Sequence, residues 1–187
     1  MIPILINGPA VEPVSLAEMR AHLRVDGPQE DDLIAGLVTA ARLMVEAASR
    51  RILVAQTWRI VLDRWPSGRI VRLPLSPLIA VTRVAVADGA GDLADLPVTA
   101  AEAEAAADPP RIRIAAGAPE PGSDRAGIAI EASFGYGPAP ESVPEPLRLA
   151  IKILVARWFE NRGDIAGEQS LPPDALALLR PFGRARL

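Results

Sequence analysis

The sequence predicts an α+β fold, with helices towards both ends of the chain and strands between them. Apolar residues recur at three- and four-residue spacing before position 52 and again after 143, whereas β-branched and alternating segments occupy 56-134. The chain is 187 residues long, 50% hydrophobic and 23% charged, which suits one sizeable core. The expected organisation is a single domain over 1-170 and an extension over 171-187. Within the domain, helices are expected at about 15-24, 29-51 and 144-161, and a small antiparallel β unit at about 56-134.

Ser15-Leu16-Ala17-Glu18 reads as a capping box, in which the serine hydroxyl and the glutamate each satisfy an orphan backbone N–H. Leu16, Met19 and Leu23 then repeat at helical spacing. Asp26-Gly27-Pro28 closes this helix and opens the next, with Asp26 as the expected cap and Glu30, Asp31 and Asp32 at the positive end of the helix dipole. Leu33, Ile34, Leu37, Val38, Ala41, Val45 and Ala48 form its expected apolar stripe.

Gln56 to Asp63, Ile70 to Leu73 and Leu78 to Ala87 read as strands, punctuated by Trp65-Pro66-Ser67-Gly68, Pro74 and Pro77. Asp88-Gly89-Ala90-Gly91-Asp92 is a loop tip. The alanine-rich stretch from Ala100 to Ala107 fits a short helix or an irregular excursion equally well. Arg111 to Ile114 and Ile128 to Phe134 alternate as half-buried strands do.

Pro144 opens the strongest helix, with Leu147, Ala150, Ile151, Leu154, Val155, Trp158 and Phe159 on one face and Arg162-Gly163 as its stop. Asp164 to Ser170 reads as loop. Pro172-Pro173-Asp174 starts a last short helix carrying Leu176, Leu179 and Phe182.

Composition excludes several function classes. A formal net charge of -3 argues against affinity built on neutralising many phosphates, so any contact with DNA is expected to be weak. There is no cysteine, hence no disulfide, thiolate metal site or cysteine nucleophile. Met1 to Ile6 is apolar but lacks a basic flank and is cut short by Asn7-Gly8-Pro9, so it is not expected to be a signal peptide. Other apolar runs are broken by charges well before 18 residues, and no membrane association is expected.

No catalytic, cofactor or metal site can be assembled. His22 is the one histidine, so a triad or zinc site has no second imidazole. Glu30-Asp31-Asp32 lacks the alternating ligands and turn glycine of a calcium loop. Asp63, Asp88, Asp92 and Asp95 show no spacing that pairs carboxylates for hydrolysis. Gly135-Tyr136-Gly137 is a G-x-G without the further glycine or the parallel βαβ setting of a phosphate loop. Leu154, Trp158 and Phe159 are expected to fill a core or a subunit interface.

Several local patterns, in this order, resemble the head-tail connector (adaptor) proteins of tailed phages and gene transfer agents. They are Pro13 to Glu18 with His22 to Val25, Asp31 to Ile34, Gln56-Thr57-Trp58, Leu73-Pro74 with Pro77-Leu78, Phe134 to Gly137, and Val143-Pro144 through Trp158 to Arg162. The resemblance spans about 11-182. It implies a helical core of two amino-terminal helices and a long carboxyl-terminal one, an inserted β unit, and a terminal arm over 171-187.

It also implies a structural protein and no enzyme. Such subunits form a ring of twelve beneath the portal, join the DNA-filled head to the stopper and tail, and leave an axial channel, where the acidic balance allows at most weak, non-specific contact with DNA. The implied partners are the portal protein, a neck stopper or tail-completion protein, and further copies of the chain. The implied location is the neck of a virion or phage-like particle assembled in the bacterial cytoplasm. The arm would grip the portal through Leu176, Leu179 and Phe182, with Arg184 and Arg186 as polar contacts. Two rival readings are another neck or tail-completion ring protein, and a hydrolase or carbohydrate-binding module, which would need clustered carboxylates or exposed aromatics.

Overall fold

A computed structural model describes residues 1-161 and 171-183. The expected helix stop at Arg162-Gly163, the loop to Ser170, and Arg184 and Arg186 lie outside the described residues. In chain order the elements are β1 (Ile2–Asn7), α1 (Leu16–Leu23), α2 (Asp31–Ser49), β2 (Gln56–Leu62), β3 (Ile70–Arg72), β4 (Leu78–Ala87), β5 (Leu93–Leu96), β6 (Ala101–Glu104), β7 (Arg111–Ile114), β8 (Ile128–Phe134), α3 (Glu145–Glu160) and α4 (Pro173–Leu179). The fold is α+β, and its strands form two antiparallel sheets. The chain divides into two compact units, one of Met1–Pro9 with Ala55–Tyr136, the other of Ala10–Val54 with the described residues from Gly137 onward.

The first unit holds both sheets, a five-stranded one in the order β1-β2-β8-β4-β5 and a three-stranded one in the order β3-β7-β6. Strand alternation sorts the large sheet into two faces. Ile60, Ile130 and Val84 are cross-strand partners and fully buried. On the opposite face Arg59, Glu131 and Arg83 stand side by side, each directly across from the next.

Besides β1, which lies outside the expected β unit at 56-134, two strands here were not expected as such. β5 is a four-residue strand with no alternation to announce it, and it exists through its ladder with Val84 to Ala87. β6 is drawn from the alanine-rich stretch, where local propensity leans towards helix. Its pairing with β7 overrides that preference, and the cross-strand ion pair Arg111–Glu104 at 2.7 Å secures it.

In the second unit α2 packs on α3, α3 on α4, and α1 against both α2 and α3. Met19, Ile34, Val38, Ala41, Val45, Leu147, Ala150, Ile151, Leu154, Val155 and Ala175 are buried. Ser15 caps α1 as expected, its Oγ accepting from the Glu18 N–H at 3.1 Å. The other half of the capping box is not made, because both carboxylate oxygens of Glu18 bind Arg148, and one of them Lys152, on α3.

Two expectations for α2 are corrected. The cap is Glu30 rather than Asp26: the chain makes a turn first, with Asp31 N–H donating to the Pro28 carbonyl, and Ile34 N–H then bonds the Glu30 carbonyl. The buried stripe is also rotated from the expected one. Leu33 and Ala48 are exposed, while Arg42, Glu46 and Ser49 are buried. These polar groups tolerate burial because they satisfy one another and their surroundings. Arg42 bridges Glu12 at 2.8 Å and Glu46 at 3.0 Å, and Glu46 also accepts the Leu53 N–H at 2.9 Å.

Candidate assembly surfaces

A protein that works by assembly needs apolar surface that its own core does not consume, and each unit carries some. In the second unit the residues expected to form a portal-binding arm divide by side. Leu179 is buried together with Ala175, where it fixes α4 within the unit, and Leu176 on the same helix is 43% exposed. The helical turn explains this, since positions 175 and 179 are four apart and share a face that 176 does not. Phe182 is half-buried, and its carbonyl accepts from Arg51 Nε at 3.0 Å. Of the α3 residues expected in a core or interface, Leu154 is buried, whereas Trp158 and Phe159 are half-buried near the helix end. Leu33 and Leu43 on α2 add further exposed apolar surface.

Glu18, Arg148 and Lys152 serve the internal structure of this unit. Glu18 lies 2.8 Å from Arg148 and 2.6 Å from Lys152, and Arg148 Nε also donates to the Pro13 carbonyl at 3.0 Å. Partial burial pushes the Glu18 carboxyl up, but the Lys152 hydrogen bond and the charges of Arg148 and Lys152 together outweigh it and hold the group below its ordinary range. His22 is exposed on the last turn of α1. Among the described residues no three His, Asp or Glu side chains stand close enough to hold a metal ion, and no helix is long and apolar enough to cross a membrane.

In the first unit the polar face of the large sheet is a continuous charge row. Arg59 meets Glu131 at 2.8 Å, Glu131 meets Arg83 at 3.3 Å, and Arg83 meets Asp95 at 2.7 Å. The hydrogen bond with Asp95 raises the Arg83 pKa against the opposing effect of partial burial. The row ends at β1, where the partner of Arg59 is Ile4. Every residue of β1 is exposed. Sequence reasoning considered this segment only as a possible signal peptide. The signal for a strand was present in its apolar run closed by Asn7-Gly8-Pro9, whereas its place at a sheet edge follows from the pairing with β2.

Gly135 and Gly137 form no phosphate cradle. Gly135 takes a φ of 133° just past β8, a conformation that L side chains rarely adopt. Gly137 leaves no room for a side chain, since a Cβ there would stand 2.4 Å from the Ser142 Oγ.

No protein-family model and no curated protein matches the chain. Solved structures do. The whole chain is similar to a chain of the neck of an empty GTA particle computed with C6 symmetry, at 26% identity and a TM-score of 0.79, covering 97% of that chain. It is equally similar to a chain of the virion of a native gene transfer agent (GTA) particle, at 25% identity and a TM-score of 0.80, again over 100% of this chain and 97% of the other. The fold is that of a GTA neck and virion component. A chain of the neck of a native GTA particle computed with C12 symmetry shares it at 23% identity, with a TM-score of 0.79 and the same coverage. These neighbours are parts of a GTA particle, and the likeness accords with the head-tail connector family that the sequence resembles.

Proposed function

We propose that this chain is the head-tail adaptor of a gene transfer agent or phage particle. Copies of it close into a ring beneath the portal, join the DNA-filled head to the stopper and tail, and leave an axial channel for DNA. The observation that carries the reading is the end-to-end likeness to a chain of a GTA neck whose structure was computed with C6 symmetry. Six-fold repetition accommodates a ring of twelve, the number that the family resemblance implies. A net charge of -3 suits a conduit, because a strongly basic lining would retain DNA through released counterions.

The portal, a stopper or tail-completion protein and further copies of the chain are the proposed partners, and the particle neck, assembled in the bacterial cytoplasm, is the proposed location. The portal contact is assigned to the carboxyl-terminal segment. Leu176 supplies exposed apolar surface, Phe182 adds to it, and Arg184 and Arg186 follow as polar contacts, while Leu179 keeps α4 in place.

Deleting the segment after Ser170 is a poor test, since it also removes Ala175 and Leu179 from the core of the second unit. Point changes are cleaner. Leu176→Asp, and separately Arg184→Glu with Arg186→Glu, should weaken binding of the full-length chain to its purified portal at least tenfold while leaving its thermal melt in place. Unchanged portal affinity in both variants would remove the arm assignment. Binding to a tail-side component alone, with none to the portal, would favour a different neck or tail-completion protein.

A further inference from the structure

The ring reading leaves open which surfaces of adjacent copies meet, and the first unit offers two unlike ones. Among the described residues the five-stranded sheet has two open edges, β1 and β5. β1 carries no charge, and Ile2, Ile4, Leu5 and Ile6 are 63%, 44%, 48% and 40% exposed. Its side chains are bare on both faces of the sheet. Ile2 and Ile4 lie across from Val61 and Arg59 on one face, Pro3 and Leu5 across from Ile60 and Trp58 on the other. An apolar edge strand of this length is a template for another chain, and proteins that remain monomeric blunt such edges with charge or cover them.

The opposite edge is complementary in size. Pro3 has no N–H to give, so the part of β1 fully able to build a ladder is Ile4 to Asn7, four residues long. β5, Leu93–Leu96, is also four residues long, and its Leu93 is 41% exposed. Its one charge, Asp95, is already paired with Arg83 within the same subunit. A closed ring requires that one patch of a subunit meet a different patch of its neighbour, and two opposite edges of one sheet meet that requirement without any further surface.

We propose, on the strength of the ring reading above, that a second copy of this chain covers β1 in the assembled particle. The β5 edge of one subunit lies along β1 of the next and continues the sheet from subunit to subunit. Backbone pairing holds the register, and the side chains of Ile2, Ile4, Leu5 and Leu93 supply the apolar contact.

The absence of cysteine makes a direct test simple. Full-length chain carrying both Leu5→Cys and Leu93→Cys is assembled on its portal and treated with a short bismaleimide. The double variant should give a ladder of cross-linked multimers up to the ring, and neither single variant should cross-link. Ile4→Lys with Leu5→Lys should reduce ring occupancy on the portal at least tenfold, with the melt of the free chain unchanged.

A complete ring that yields no ladder and tolerates both lysines would overturn the β1 contact and leave the ring reading standing. Dimers from Leu5→Cys alone would mean that β1 meets β1, a contact that cannot propagate head to tail, and would also overturn it. So would lysines that spare the ring but block joining to the stopper or tail. If the unmodified chain forms no ring on its portal, both readings fall.

Discussion

At the scale of single residues, the second unit is held by two charged side chains, one that sequence reasoning assigned to a cap and one that it left out. Glu18 was expected to complete a capping box and instead ties α1 to α3 through Arg148 and Lys152. Its pKa is lowered in the folded chain from an ordinary value of 4.5. The stability it contributes is therefore complete above that ordinary value and is lost as pH falls through the lower, folded one. Acidification should destabilise the second unit across that window, and Glu18→Gln should flatten the pH dependence while lowering stability at neutral pH. Urea melts at pH 7 and pH 3 measure both; equal pH slopes in the two proteins would show that Glu18 contributes nothing. Arg42 is a harsher case because its side chain is only 8% exposed and faces Glu12 and Glu46. Arg42→Met removes the guanidinium that Glu12 and the buried Glu46 both face and should cost about 1.5–3 kcal/mol by urea titration. A loss below about 1 kcal/mol would mean that water replaces the guanidinium.

At the scale of elements, long helices were legible and short strands were not. α3 announces itself because Leu147, Ile151, Leu154 and Val155 repeat at three- and four-residue spacing along one face, and all four are buried. Leu154→Ala should accordingly destabilise the chain by about 2–5 kcal/mol, and Leu176→Ala on the exposed side of α4 by no more than about 0.5 kcal/mol. Equal losses in chemical denaturation would contradict the division of inner and outer faces. β5 and β6 could not be read locally, because Leu-Ala-Asp-Leu carries no alternation and the short alternation of Ala-Glu-Ala-Glu lies in an alanine-rich stretch whose propensity leans towards helix. What makes them strands is a partner distant in sequence, Val84 to Ala87 for one and Arg111 to Ile114 for the other. The rotated stripe of α2 has a similar origin. Arg42 and Glu46 look like surface charges until Glu12, remote in sequence, and the Leu53 N–H, just past the helix end, are placed beside them.

At the scale of the whole molecule, the α+β class followed from periodicity, but periodicity is silent on purpose. The ordered set of motifs from Pro13 to Arg162 carried the resemblance to head-tail connectors, and the full-length likeness to GTA neck and virion chains gave it independent support. The candidate surfaces were only partly legible. Leu176 and Leu179 were singled out together, yet only the fold separates the one that faces outward from the one that anchors α4. β1 escaped notice because an apolar run is recognisable as an open sheet edge only when its neighbour, β2, and its empty side are both known.

The central claim is that the chain closes into a ring on a portal, and electron microscopy of full-length protein mixed with that portal tests it most directly. The account predicts a continuous ring on the tail-facing end of the portal with twelve-fold repetition and an open axial channel. Portals left bare at saturating concentrations of the chain, or decorated by isolated copies that never close, would contradict it.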